Sequence, residues 1–196
     1  MCAERPMAVC RDRRNGVGVN RARGLRLALV LAALVVVVVL ADAALATSHS
    51  EKALPSLNHQ VLAAVNKLRV AHGLVPLHES PALDNSARQH SLEMGRLGYF
   101  AHSSHDGTAF WKRIQKYYPA TGHAYWSVGE NLVWASPTLS AASAMKDWIS
   151  SPPHLKNLLA ARWRDMGVSA VRVVHAPGTF HGMNVVIITN DFGVRH

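Results

Sequence analysis

Two histidines and one glutamate have the residue types and the local settings to do chemistry in this chain: His102, Glu130 and His154. Two imidazoles and a carboxylate form a competent ligand set for zinc, with the fourth position left open. The same three groups can also hold a polar ligand if one fold brings them together. The sequence has no H-E-x-x-H motif, which would place two ligands on one helical face. The spacing alone therefore predicts an ionisable pocket without selecting its occupant.

No complete catalytic apparatus is visible in the sequence. There is no G-x-S-x-G nucleophile elbow. Ser103 and Ser104 adjoin His102, but adjacency in sequence does not orient a base toward a hydroxyl. These observations favour a binding protein over an enzyme. The enzymatic alternative is an extracellular, peptidase-like hydrolase in which Glu130 acts as general base on a metal-bound water.

The N-terminal region has the layout of an export signal. Residues 1–26 contain seven arginines, and residues 27–46 are almost entirely apolar and end in Ala44-Leu45-Ala46. A basic flank, an apolar run and small residues at its end are typical of a secretory signal peptide. The run also approaches the length of a membrane span, so an uncleaved N-terminal anchor is the alternative. Either reading places the remainder of the chain outside the cytoplasm, as a secreted or a membrane-anchored protein.

The composition bounds the exported part of the chain. Both cysteines, Cys2 and Cys10, precede the apolar run, so the exported domain has no disulfide and no thiol nucleophile. The formal net charge is +9, but no lysine or arginine run occurs beyond residue 26. That pattern argues against a nucleic-acid partner. The membrane is therefore expected to contact the protein only through the N-terminal segment.

Apolar periodicity and turn residues predict the elements that must position the three groups. Residues 47–56 are polar and indicate a linker. The patterns after it predict helices over residues 57–72, from Ser80-Pro81 to Gly98, over 108–117, and from Ser136-Pro137 to Pro152-Pro153. Gly129 is expected to let the chain turn at the end of an extended segment. His154 and Asn157 would share one face if a helical turn follows the two prolines.

The C-terminal part changes to a strand pattern. Residues 167–174 and 183–189 are rich in β-branched side chains and flank Pro177-Gly178-Thr179. They predict an antiparallel hairpin. Helices come first and paired strands last, so the predicted class is α+β, with helices packed on an antiparallel sheet.

Several segments of the chain, taken together in this order, form a specific combination. They are Asn66-Lys67-Leu68-Arg69, Tyr99-Phe100-Ala101-His102, Asp106-Gly107, Gly129-Glu130-Asn131, Ser151-Pro152-Pro153-His154, Asn157-Leu158-Leu159 and Ile188-Thr189-Asn190-Asp191-Phe192-Gly193. The combination resembles the CAP superfamily, the SCP-like extracellular proteins that include the cysteine-rich secretory, antigen 5 and pathogenesis-related 1 groups. The resemblance covers residues 57 to 193, and it implies a CAP domain over residues 57–196. It is closest to the short bacterial branch, which lacks the eukaryotic cysteines.

The resemblance implies a three-layer α-β-α sandwich with a central antiparallel sheet and a cleft lined by two histidines and two acids. His102, Glu130 and His154 match three of those positions, while Ser151 stands near the fourth and is not acidic. A set of polar residues in the matched motifs is expected to support the cleft: Asn131, Asn157, Asp106 and Asn190. Asn190 stands where many relatives have glutamine.

Members of the superfamily share a fold but not a function. Some bind zinc or other divalent cations in the cleft, and others bind sterols or fatty acids. The resemblance therefore implies zinc or another divalent cation as cofactor, held by His102, His154 and Glu130, or a partner that is a small ligand, a lipid or a cell-envelope component.

Overall fold

The structure is a computed structural model, and it describes residues 50–196. The predicted basic segment 1–26, the apolar segment 27–46 and the start of the predicted linker lie outside the described residues. Among residues 50–196, no helix has the length and apolarity needed to cross a membrane.

A five-stranded sheet forms the centre of the fold. Its strands are β1 (Glu51–Ala53), β2 (His78–Glu79), β3 (Trp126–Ala135), β4 (Asp165–Ala176) and β5 (Met183–Arg195). The order is β1-β4-β5-β3, and these neighbours pair antiparallel. Strand β2 adds a short parallel pairing to β4. Strand β3 is therefore an edge strand, so one of its sides is open to other elements.

Within residues 50–196, five α-helices accompany the sheet: α1 (Pro55–Ala71), α2 (Pro81–Leu97), α3 (Phe110–Tyr117), α4 (Ala141–Ser150) and α5 (Pro152–Leu158). Side chains of β4 alternate between the two faces of the sheet, as strand geometry requires. Val168 and Ala170 pack with α1, α4 and α5, whereas Val171 and Val173 pack with Met94 of α2. The predicted α+β class and the three-layer α-β-α arrangement are confirmed.

Two of the predicted elements begin elsewhere. Residues 47–56 were expected to be a linker, but Glu51–Ala53 pair with β4 and α1 begins at Pro55. A three-residue edge strand has too little sequence to show the alternation that identifies longer strands. The helix expected from Ser136-Pro137 begins instead at Ala141, where the Ser140 side chain accepts a hydrogen bond from the Ser143 N–H.

The other predicted elements are confirmed to within a few residues. Gly98 ends α2 in the left-handed conformation, with φ of 71°. The predicted hairpin is present as β4 and β5, both longer than the β-branched runs that indicated them. A helical turn follows the two prolines, so Pro152-Pro153 end α4 and also begin α5.

Candidate functional site

A cleft of about 520 Å³ lies at the edge strand β3. It contains all three of the histidine and glutamate residues singled out in the sequence. Its lining comes from the loop after α2, from β3, and from α5 and the connection that follows it: His102, Glu130, Asn131, Pro153, His154, Lys156, Asn157, Leu159, Ala160 and Arg162. This arrangement is consistent with the prediction that His102, Glu130 and His154 share one pocket.

Glu130 holds the imidazole of His102. The Nδ1 atom of His102 lies 2.7 Å from Oε1 of Glu130. The His102 side chain is about half exposed, whereas that of Glu130 is fully buried. When Glu130 is ionised, the Nδ1–H of His102 donates to it, and the Nε2 lone pair is left available to a ligand.

The second oxygen of Glu130 is engaged by a buried arginine. Arg113 of α3 donates from Nη2 to Oε2 of Glu130, and from Nη1 to the backbone carbonyl of His102 at 3.1 Å. One guanidinium therefore positions both the carboxylate and the loop that carries the histidine. Each oxygen of Glu130 therefore has a hydrogen-bond partner within the protein.

A second carboxylate lies beneath Glu130. Asp191 of β5 is directly opposite Glu130 of β3 and is fully buried. Neither oxygen of Asp191 makes a hydrogen bond among the described residues, although Ser86 and Glu130 lie close enough to affect its pKa. Burial and the neighbouring carboxylate raise the pKa of Asp191 well above its ordinary value.

Burial also raises the pKa of Glu130, to about 7, while Arg113 acts in the opposite direction. Glu130 receives hydrogen bonds from Arg113 and His102, and Asp191 receives none from the described residues. Asp191 is therefore the carboxyl that holds its proton more tightly, and Glu130 is the one that ionises first.

The loop that carries His102 is held from below by a histidine of α2. His90 is completely buried, and its Nε2 lies 2.8 Å from the carbonyl oxygen of Ala101, next to His102. Burial and the nearby Arg113 lower the pKa of His90 to about 3. His90 is thus a neutral donor to the backbone carbonyl of Ala101.

A chain of amide side chains positions His154. Asn131 of β3 donates from Nδ2 to the backbone carbonyl of His154 at 3.2 Å, and Asn157 donates from Nδ2 to Oδ1 of Asn131 at 3.1 Å. The backbone of Asn157 is held as well, because Trp163 Nε1 donates to the Asn157 carbonyl at 2.9 Å. These bonds join α5 to the edge strand.

Gly129 has a different role from the predicted turn. It lies within β3. A Cβ atom added at this position would lie only 2.7 Å from Oδ1 of Asn157 and 2.8 Å from Cζ2 of Trp163. The prediction of a turn at Gly129 is therefore wrong. The glycine is needed because α5 and Trp163 approach the strand too closely for any side chain.

The pKa values of both cleft histidines are lowered, which favours their neutral forms. Burial lowers the pKa of His102, with Arg113 as the next cause. Burial also lowers the pKa of His154, and His102 contributes to that shift. Each of them can therefore offer an uncharged imidazole to a ligand.

Two of the four predicted supporting residues line the cleft, and the other two lie elsewhere. Asn131 and Asn157 line the cleft, but Asp106 and Asn190 do not. Asp106 is exposed and its Oδ1 accepts from the Thr108 N–H at 2.8 Å, which closes a turn before α3. Asn190 is fully buried opposite Asn131 on β5, and its amide atoms have no hydrogen-bond partner among the described residues.

Three buried polar groups of the site went unassigned in the sequence analysis: Arg113, Asp191 and His90. For Asp191 the sequence does contain a signal, because an acid within the apolar run of β5 is unusual. Arg113 precedes Ile114 on α3, and both are buried. A charged residue on a helix's apolar face indicates a buried partner, but not which one.

A second cavity of about 260 Å³ lies along the same edge strand and shares His154 with the cleft. Phe100, Trp134 and Trp148 contribute three aromatic rings to its lining. Ser151, which stands near the missing acid of the family pattern, lines this cavity and not the cleft.

The family model of the cysteine-rich secretory proteins, CAP, matches residues 62–185. The chain belongs to the CAP family. This CAP domain is similar to two proteins of Bacillus subtilis strain 168. The uncharacterized protein YkwD is 27% identical over 125 residues, which cover 64% of this chain and 46% of YkwD. The uncharacterized membrane protein YlbC is 29% identical over 114 residues, which cover 58% of this chain and 31% of YlbC. The CAP chain therefore spans less than half the length of these relatives.

Two solved structures have the same fold as this CAP domain. An extracellular protein containing an SCP domain from Bacillus anthracis superposes with a TM-score of 0.54 at 24% identity, covering 70% of this chain and 40% of that one. An outer surface protein from Borrelia burgdorferi superposes with a TM-score of 0.53 at 20% identity, covering 69% of this chain and 90% of that one. Both are described as extracellular or surface proteins.

Proposed function

We propose that this CAP domain works outside the cytoplasm as a binding module, and that its cleft holds a divalent cation, such as zinc, or a small polar ligand. The observation that carries the proposal is the contact between His102 Nδ1 and Glu130 Oε1. It fixes the ring and leaves Nε2 free of hydrogen bonds to residues 50–196. A carboxylate that orients a histidine in this way is typical of histidine–metal sites.

The donor set suits a cation with two protein ligands. His102 and His154 both line the cleft, and burial lowers the pKa of each, which favours the neutral imidazole that binds a metal. Within residues 50–196, no three histidine, cysteine, aspartate or glutamate side chains converge as a metal cluster. His102 and His154 would therefore hold the ion with solvent or a ligand in the other positions, and Glu130 would act by orienting His102. A bound cation would supply positive charge and Lewis acidity to a polar ligand.

The geometry supports binding over hydrolysis. A general base must come within hydrogen-bond reach of the proton that it removes. Both oxygens of Glu130 are already engaged, by His102 and Arg113, and its side chain is fully buried. Glu130 is therefore placed to position His102 rather than to touch a substrate.

Export is supported by the sequence and by the family. Residues 1–46 have the layout of a signal peptide or anchor, and two structural relatives are extracellular or surface proteins.

Calorimetric titration of the purified chain with zinc at pH 7.5 tests the metal part of the proposal. We expect one site per chain, and we expect its affinity to fall at least a hundredfold in the His102→Ala/His154→Ala variant. The matched control is His59→Ala/His72→Ala, which removes two exposed histidines of α1 and its C-terminus and should leave the affinity unchanged. Equal affinity in wild type and in the His102→Ala/His154→Ala variant would rule the site out.

A lipid ligand is the second candidate, and the aromatic cavity beside His154 favours it. An apolar group could lie against Phe100 and Trp134 in this cavity while a polar group stays in the cleft. Lipid extraction and mass spectrometry of the protein purified from its host would detect such a ligand. A protein free of lipid after detergent-free purification would count against this candidate.

A further inference from the structure

The cleft is lined by positive charge with little to balance it. Lys156 and Arg162 both line it and both are exposed. Glu130 is the one acid among the lining residues, and it is buried with both oxygens engaged. A ligand entering the cleft therefore meets two cations and no available carboxylate.

Neither Lys156 nor Arg162 has a polar partner for its charged group within the described part of the chain. Lys156 and Arg162 make no ion pair with any of residues 50–196, and their side chains donate no hydrogen bond there. The guanidinium carbon of Arg162 lies 4.0 Å from the ring centroid of Trp163. One face of the guanidinium therefore packs on the Trp163 ring. This packing restrains the side chain and leaves its N–H donors free for a ligand.

The connection that carries Arg162 is held in place by a buried arginine. Arg69 of α1 donates from Nη1 to the backbone carbonyls of Leu158 at 2.7 Å and Ala160 at 3.1 Å. Trp163, on the other side of Arg162, donates to the Asn157 carbonyl at 2.9 Å. A cation on a restrained connection loses less conformational freedom when it binds a ligand.

We propose that the cleft binds an anionic group, a phosphate or a carboxylate, through Lys156 and Arg162. The inference rests on the proposed function, since it specifies the chemistry of the ligand taken by that same cleft. Guanidinium and ammonium groups are the side chains that proteins use for these anions. A divalent cation held by His102 and His154 would add further positive charge, because Glu130, the one lining carboxylate, is already paired with Arg113, and this favours an anionic ligand.

The test is calorimetric titration of the full-length chain in neutral detergent, without metal, against chloride at equal ionic strength. The probes are inorganic phosphate, acetate, and glycerophosphoglycerol, which carries a phosphodiester headgroup without acyl chains. We expect at least one probe to bind with a dissociation constant on the order of 1 mM or lower. Stronger binding of inorganic phosphate would identify a free anion as the ligand, and stronger binding of glycerophosphoglycerol a lipid headgroup.

Two variants of equal charge assign the binding to the cleft. Lys156→Gln/Arg162→Gln should weaken the best probe about tenfold or more, because both charged donors are lost. Lys67→Gln/Arg88→Gln removes the same charge from the exposed faces of α1 and α2 and should leave binding within about twofold. Binding by none of the probes, or equal weakening by both variants, would overturn the inference.

Zinc titration of the same variants separates this inference from the metal proposal. Lys156→Gln/Arg162→Gln should keep the zinc affinity of the wild type, since neither residue is a zinc ligand. Zinc binding without anion binding would overturn the inference alone. Anion binding that depends on Lys156 and Arg162, without zinc binding, would sustain the inference and reject the metal.

Discussion

Glu130 on β3 lies directly opposite Asp191 on β5, and of these two buried carboxylates only Glu130 forms an ion pair with Arg113. One positive charge cannot compensate two buried negative charges, and the carboxyl without hydrogen-bond donors retains its proton. The pair is consequently asymmetric. Glu130 is the partner that ionises first and orients His102, and Asp191 is fully buried on the neighbouring strand.

This asymmetry predicts opposite results for two isosteric substitutions. Glu130→Gln should lower the free energy of unfolding by about 3–5 kcal/mol at pH 7, because it removes the partner of a buried guanidinium. Asp191→Asn should not destabilise the protein at pH 7. Urea denaturation of both variants would measure the difference.

The pH dependence of Asp191→Asn provides a check on the assignment. The pKa of Asp191 is raised in the folded protein, so its folded state holds a proton that the unfolded state has lost above about pH 4. Wild-type stability should therefore decrease relative to the variant as pH rises from about 4. If Asp191→Asn costs as much as Glu130→Gln, then Asp191 is the ionised member of the pair.

His90 predicts a loss of stability in mild acid. Its pKa is lowered to about 3 by burial, whereas an unfolded histidine titrates near 6.5. Between these values the unfolded state binds a proton that the folded state does not. Stability should therefore fall as pH drops from 6.5 toward 3, by up to about 1.4 kcal/mol per pH unit from this group.

Comparison with His90→Gln isolates the contribution of this histidine, because glutamine can still donate to the Ala101 carbonyl but does not titrate. Urea denaturation at several pH values between 4 and 7 should show a steeper dependence for wild type than for the variant. Parallel curves would mean that folding does not change the pKa of His90.

The hydrogen bond from Asn131 to the His154 carbonyl predicts that the Asn131 amide affects the zinc affinity of the cleft. Asn131→Asp keeps the size of the side chain but removes the donor to the His154 carbonyl. We expect a loss of about 1–3 kcal/mol in stability. We also expect zinc affinity to fall about tenfold or more, because α5 is no longer held at His154.

Asn66→Asp is the matched control for this prediction. Asn66 also donates and accepts one hydrogen bond, with the backbone of Leu77, at a distance from the cleft. It should cost similar stability and leave zinc affinity unchanged. An equal loss of affinity in both variants would show that general destabilisation, and not the position of His154, sets binding.

Much of the fold follows from local sequence patterns. The helix that ends at Gly98 and the hairpin of β4 and β5 are predictable, because caps, glycines and β-branched runs act over a few residues. The start of α4 and the strand β1 are not. Ser136-Pro137 has the form of a helix start, yet Ala141 follows the serine that actually caps the helix. For β1, pairing with β4 supplies a stabilisation that no three-residue pattern encodes.

The sequence by itself determined which residues form the site: His102, Glu130 and His154. It also showed that they lie on segments typical of one family. Only the tertiary structure decided what each one can do. It placed Asp191 and Arg113 against Glu130, so that Glu130 became a buried support for His102 and not an exposed base. The reason is physical: a carboxyl's charge and reach depend on burial and on partners far apart in the chain, which meet only when the sheet and helices pack.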